Sequence, residues 1–211
     1  MHRLHALRAL ALLTVAAALP AAPSFAAGDT EPSYSCAKVE KGSVEALVCS
    51  DAGLSALDRK LAGVYAEATR KAANEHPPVL AATQRGWIKG RDDCWKDKDV
   101  HACVADAYTM RIVELQARYR LVAQTGPVTF ACDGDPRNEL VVTYFKTDPA
   151  SMIAERGDET SLMIQQVAAS GARYQGRNES FWEHQGVATV VWGYEAKPMQ
   201  CRPQPAAGQR P

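Results

Sequence analysis

The chain has 211 residues, of which 46% are hydrophobic, and its 24 Lys and Arg are matched by 24 Asp and Glu. No basic stripe runs along it, which excludes the electrostatic footprint of a DNA- or RNA-binding protein. Six cysteines behind an apolar amino terminus place it instead among exported, disulfide-bonded proteins.

Arg3 and Arg8 precede an apolar run from Ala9 to Leu19, and small residues around Ser24 and Ala26 follow in the A-x-A manner. That run is too short to span a membrane and ends in Pro20 and Pro23. Residues 1–26 therefore read as a secretory signal peptide cleaved near Ala26. Cys36, the first mature cysteine, follows Ser-Tyr-Ser and not the leucine-and-small-residue context that a bacterial lipid anchor needs. The mature chain is thus expected free in an oxidising compartment, with no membrane anchor.

From Ser43 to Arg120 the apolar period is helical. After a short turn at Val44–Val48, Leu54, Leu57, Leu61, Tyr65 and Ala68 recur at three- and four-residue steps, with Asp58, Arg59, Lys60 and Glu67 between them. His76-Pro77-Pro78 ends this helix and opens the next, because proline suits a first helical turn and not an interior. Leu80, Gln84, Trp87, Ile88 and Arg91 then share a face. A third long helix is predicted from about Val100 with Asp99 as its N-cap, burying Ala105, Tyr108, Ile112, Leu115 and Tyr119. Residues 33–121 form a compact helical domain with cysteines near the helix ends.

Gln124–Pro127 reads as a short linker, after which the period changes to two. Val128–Cys132, Glu139–Lys146, Ser151–Glu155, Ser161–Val167, Ala172–Gln175, Ser180–Glu183, Val187–Tyr194 and Lys197–Arg202 are short alternating or β-branched segments separated by Gly, Asp, Asn and Pro. About eight closely spaced strands predict a small antiparallel β-barrel over residues 127–203. The fold class is α+β in two domains. A disulfide from Cys132 on the first strand to Cys201 on the last would staple a domain whose core is limited. Residues 204–211, rich in Pro, Gly and Gln, read as a disordered tail.

The even cysteine count predicts three disulfides. Zinc would want a C-x-x-C pair or a histidine cluster, and neither accompanies them, so no metal or other cofactor is expected. Four cysteines, Cys36, Cys49, Cys94 and Cys103, fall in the helical half, where three pairings are possible. Antiparallel helices put Cys49, Cys94 and Cys103 at one end and leave the choice open; the pairing favoured is Cys49–Cys94 with Cys36–Cys103.

The stretch Ala169–Val190 joins a small-residue turn at Ser170-Gly171 to the aromatic pair Phe181-Trp182 and then to a second turn carrying His184. It has the chemistry of a presented loop, with a hydroxyl and a titratable ring. The order F-x-C (Phe130, Cys132), SGARY (Ser170–Tyr174), FW (Phe181-Trp182), the AT of Val187–Val190 and the closing Cys201 resembles the membrane-bound and periplasmic inhibitors of c-type lysozyme, over nearly all of Val128–Arg202. The helical half resembles the N-terminal domain of lysozyme-inhibitor lipoproteins of the LprI type, from about Ser35 to Arg118. That second resemblance is carried by Cys36, Glu45-Ala46 before Cys49, LDRKL at Leu57–Leu61 with Tyr65, QRGWIKGRDDC at Gln84–Cys94, and Cys103 before Arg111-Ile112 and Leu115.

The first resemblance implies a bacterial, periplasmic protein partner of c-type lysozyme that catalyses nothing and blocks a muramidase cleft. Its serine supplies a hydroxyl, matching Ser170 beside Gly171, with Tyr174 as loop support. A lysine shortly after the FW pair supplies a cation, and that position here is His184, with Arg173 and Arg177 as substitutes. Taken alone, Ser170-Gly171 is a tight turn, His184 a solvated hairpin residue, and Tyr174, Phe181 and Trp182 barrel core or rim. In the helical half Trp87, Leu57 and Leu61 read as core, and Arg91 with Asp92 as a local ion pair. A serine-hydrolase reading, with Ser170 as nucleophile, His184 as base and Glu179 or Glu183 as orienter, lacks a nucleophile elbow, and adjacent Glu183 and His184 would point to opposite sides of a strand.

Overall fold

Four α-helices precede eight β-strands in a computed structural model of the chain, which describes residues 30–205. The predicted signal peptide at 1–26 and positions 206–211 of the predicted tail lie outside the described residues. The helices are α1 (Val44–Ser50), α2 (Ala52–Lys71), α3 (Val79–Asp92) and α4 (Val100–Arg118). Side chains start three of them, with Ser43 accepting from the Ala46 amide, Asp51 from Leu54 and Asp99 from Ala102. The fourth, α3, follows Pro77-Pro78, and its Leu80 amide donates to the Glu75 carboxylate at 3.2 Å. The apolar stripes close on one core containing Val48, Leu54, Leu61, Leu80, Val104, Tyr108, Ile112 and Leu115.

The disulfides of this half are Cys36–Cys49 and Cys94–Cys103, which corrects the favoured pairing of Cys49–Cys94 with Cys36–Cys103. Chain proximity decides the matter. Cys36 sits on a 3-10 turn just ahead of α1, whose end carries Cys49. Cys94 sits on the 3-10 turn Asp93–Lys96, which feeds directly into α4 and Cys103. The short connections bring the partners to Cα separations of 5.8 and 5.7 Å, inside the usual disulfide range. Each bridge therefore staples one corner of the bundle and none crosses it.

The strands are β1 (Gln124–Cys132), β2 (Asp135–Phe145), β3 (Ser151–Arg156), β4 (Glu159–Gln166), β5 (Ala172–Gln175), β6 (Ser180–His184), β7 (Val187–Val191) and β8 (Met199–Pro203). Each pairs antiparallel with its neighbour in sequence, and β8 returns to β1, so the barrel is closed and leaves no free sheet edge. Alternation sends Phe130, Leu140, Val142, Met152, Met163 and Phe181 inward, with Phe130 and Phe181 edge to face at 5.5 Å between centroids. Cys132 and Cys201 stand opposite each other on β1 and β8 and form the expected disulfide.

One feature differs from the sequence reading. The expected linker is already sheet, because Gln124 pairs with Phe145 and Thr125 with Tyr144. A register shift follows at Gly126-Pro127, where Gly126 has φ +112° and a Cβ would lie 2.8 Å from the Val142 carbonyl oxygen. The helical half also packs on the outside of the barrel. Val113 and Ala117 of α4 are buried yet belong to neither core, and α4 lies against β3. Thr143, Phe145 and Ser151, outward on β2 and β3, are buried as well.

Candidate functional site

Between β4 and β5 the chain leaves the ladder for five residues, Val167–Gly171, at the end of the barrel where β6 turns into β7 at Gln185-Gly186. Strand parity fixes what surrounds this loop. On β5, Ala172 and Tyr174 face inward and Arg173 outward; on β6, Phe181 and Glu183 face inward while Trp182 and His184 face outward. Gly171, at φ +71°, lies directly on the β6 backbone. A Cβ there would collide with the Glu183 carbonyl oxygen and sit 3.3 Å from the His184 Cα, so only glycine fits.

Ser170 is held through its backbone: the Trp182 indole N–H donates to its carbonyl oxygen at 3.1 Å. Its hydroxyl is exposed and bonds no protein group among the described residues. The half-buried His184 ring lies parallel to the Trp182 indole, 5.9 Å between centroids at an interplanar angle of 15°. Arg173 is the cross-strand partner of Trp182, is exposed, and forms no ion pair among the described residues. Ser170, Gly171, Arg173 and His184 thus converge at one end of the outer face of β5 and β6.

The other expected participants fall elsewhere. Tyr174 is 7% exposed, 5.7 Å from Tyr144 and 6.4 Å from Phe181 between ring centroids, and so belongs to the core beneath the loop. Burial and then the inward Glu183 carboxylate push both the Tyr144 and Tyr174 phenols above their ordinary pKa. Arg177, named as a substitute cation, sits in the β5–β6 turn at the opposite end of that hairpin, roughly 13 Å away at the usual rise per strand residue. It is not part of the convergence. Trp182, expected as core or rim, is 44% exposed, and next to it Val167 is 100% exposed. Strand parity applied outward from Phe181 was the signal that could have found Trp182.

The Gln84–Cys94 motif builds a separate polar centre in the bundle. Arg91 is buried and pairs with Asp92 at 2.6 Å, as its sequence position suggests, and also with Glu45 at 2.5 Å and the Tyr108 hydroxyl at 2.8 Å. Tyr108 donates in turn to Asp58 at 2.9 Å, whose other oxygen accepts from the Ser33 amide at 2.6 Å. Burial, the largest single influence, would lower the Arg91 pKa, but the contacts with Asp92 and Tyr108 together outweigh it and the guanidinium is held above its ordinary value. This network backs a cleft of about 500 Å³ shared with Tyr65, Trp87 and Ile88. Among the described residues no group of three His, Cys, Asp or Glu is arranged to hold a metal.

The described residues thus form a closed barrel with an exposed Ser170 loop, backed by a disulfide-stapled helical bundle. Residues 130–199 match the family described as membrane-bound lysozyme-inhibitor of c-type lysozyme, and residues 36–115 match the family described as lysozyme inhibitor LprI. Proteins named lipoprotein LprI from Mycobacterium bovis and Mycobacterium tuberculosis are 32% identical over 144 residues, covering 68% of this chain and 71% of theirs. The chain belongs to the LprI family of lysozyme inhibitors, and both halves are the families the motifs resemble.

Proposed function

We propose that this protein is an exported, non-catalytic inhibitor of c-type lysozyme, working in the periplasm by inserting the Ser170 loop into the muramidase cleft. Lysozyme hydrolyses its glycoside with two carboxyl groups, one kept protonated as acid and one ionised. A plug for that pair needs a hydroxyl and a cation at a fixed separation. Ser170 supplies the hydroxyl, and protonated His184 or Arg173 supplies the cation. The observation that carries this reading is that the three stand together on an outward face, with neither the hydroxyl nor Arg173 engaged by a protein group among the described residues. Membership of two families named for lysozyme inhibition supports the target.

The mycobacterial relatives are named lipoproteins. Here the Cys36 sulfur is joined to Cys49 and is not free to carry a lipid thioether. That bond supports the reading of a protein without a lipid on that residue.

A lytic assay with wild type, Ser170→Ala and His184→Lys tests the proposal. Wild type inhibits, and Ser170→Ala weakens inhibition by about 10- to 100-fold, the range for losing a hydrogen bond to a charged group. No inhibition by any form overturns it. A second reading, a periplasmic binding module that has kept the barrel and lost inhibition, rests on the histidine at the position where the family pattern has lysine; inhibition gained only in His184→Lys would favour it.

A further inference from the structure

We propose that Trp182 is a positioning residue: one indole holds the Ser170 carbonyl and the His184 ring in a single frame, so that hydroxyl and imidazole are presented at a set separation. This rests on the plug reading of the Ser170 loop and names what makes the plug rigid.

Trp182 does no work in the barrel core, whose aromatic members are Phe130, Tyr174 and Phe181. Its two capacities for interaction go to the two proposed contact groups instead. The indole N–H donates to Ser170, and the ring face lies along His184. Beyond the Gln166–Arg173 pair the loop has left the β4–β5 ladder, and the Trp182 bond is the one side-chain hydrogen bond it receives among the described residues. Gly171 supplies the second anchor by resting on the backbone of Glu183 and His184. Ser170 is therefore pinned on one side by the indole and on the other by the glycine contact, while its hydroxyl stays in solvent.

The chemistry explains why a tryptophan suits this place. An indole has one donor and no acceptor, so it satisfies a carbonyl without competing for the serine hydroxyl. Its broad π-face also favours a ring that is cationic when protonated. A loop ordered before contact avoids the ordering cost that a mobile loop would meet on binding. The exposed apolar surface of Val167 and Trp182 then borders a shallow depression of about 390 Å³ beside the serine, open to the partner.

Two variants of the full chain separate the indole's roles. Trp182→Phe keeps a ring for His184 and loses the N–H; Trp182→Leu loses both. Three readouts apply to each: lysozyme inhibition, amide hydrogen exchange at Ser170 and Gly171, and the ring-proton chemical shifts of His184. We expect Trp182→Phe to speed exchange at Ser170 and Gly171 and raise the inhibition constant roughly 10-fold, the effect of one hydrogen bond, with an aromatic ring-current shift still felt by the His184 ring. Trp182→Leu additionally removes that ring-current shift, while far-UV circular dichroism stays that of the folded barrel. Unchanged exchange and unchanged His184 ring shifts in Trp182→Leu, in a protein that still inhibits, overturn the positioning role. A wild type that fails to inhibit overturns the plug reading instead, and with it the inhibitory purpose of the clamp.

Discussion

An imidazole differs from the lysine of the family pattern in reach and in charge: it is shorter, and as a residue type it is charged only at the acidic edge of the physiological range. The groups facing His184 are the neutral Trp182 on its own strand, Val187 opposite it on β7, and the Gly171 backbone; Arg173 lies one strand away, and Glu183 points into the barrel. Docking against an ionised carboxylate favours the protonated ring. The contact is therefore expected to be stronger at acid than at alkaline pH. Inhibition measured at pH 5.5 and pH 8, with the target's own profile subtracted, is expected to be stronger at pH 5.5, and His184→Lys to flatten the difference. Equal inhibition at both would assign the cation to Arg173. At this scale the sequence was partly legible. Ser170-Gly171 is a recognisable turn, and the close approach of Gly171 to β6 explains its glycine. The exposure of Trp182 was hidden because an aromatic in a strand reads as core or rim until the parity of its neighbours is settled.

Helices and strands emerged because periods of 3.6 and 2 alternate cleanly with Gly, Pro and Asp boundaries, so four helical segments and eight strands could be placed before any contact was known. What periodicity does not encode is which buried polar groups meet. Tyr108 was predicted as core on its spacing, and it is core, but its hydroxyl also joins Arg91 on α3 to Asp58 on α2. Replacing Tyr108 by Phe leaves a buried guanidinium and a buried carboxylate each short of a partner, and should cost about 1–3 kcal/mol by urea denaturation. The same centre sets a pH limit. Burial, then the neighbouring Asp58 carboxylate, pushes the Tyr34 phenol up to about 12 from an ordinary value near 10, and burial raises Tyr108 further. Phenols raised in the fold contribute stability that is complete below pH 10 and lost as pH climbs through their folded values. Thermal melts between pH 8 and pH 12 should hold level to about pH 10 and then fall, with Tyr108→Phe falling less steeply. The disulfide pairing escaped the sequence for a related reason: helix faces say which cysteines share an end, and only the tightness of the turns at Cys36 and Cys94 decides among them.

The two halves are one packed body because β2 is buried on both sides. Val142 and Leu140 face the barrel core, while Thr143 and Phe145 are buried on the outer side, where α4, with its buried Val113 and Ala117, lies against the adjoining β3. The short linker at Gln124–Pro127 favours packed halves, but the apolar run from Leu140 to Phe145 is equally at home in an ordinary barrel core, so which strands meet the helices could not be read ahead of the structure. The presented loop joins β4 to β5; the helical half reaches β4 at Leu162 and Ile164, but the depression beside Ser170 is lined only by barrel residues. The face buried against the helices and the face proposed for inhibition are therefore different, and stability and inhibition should separate on mutation. Val113→Asp places an unpaired charge in the contact, a cost of about 3–5 kcal/mol, which lowers Tm by roughly 10 °C for a chain of this size. At 25 °C, with the barrel still closed by Cys132–Cys201, the inhibition constant should stay within about 2-fold of wild type, since 0.4 kcal/mol is the scale expected of a distant site. A loss of inhibition in step with the fall in Tm would instead mean that the helical half holds the Ser170 end of the barrel in its inhibitory shape.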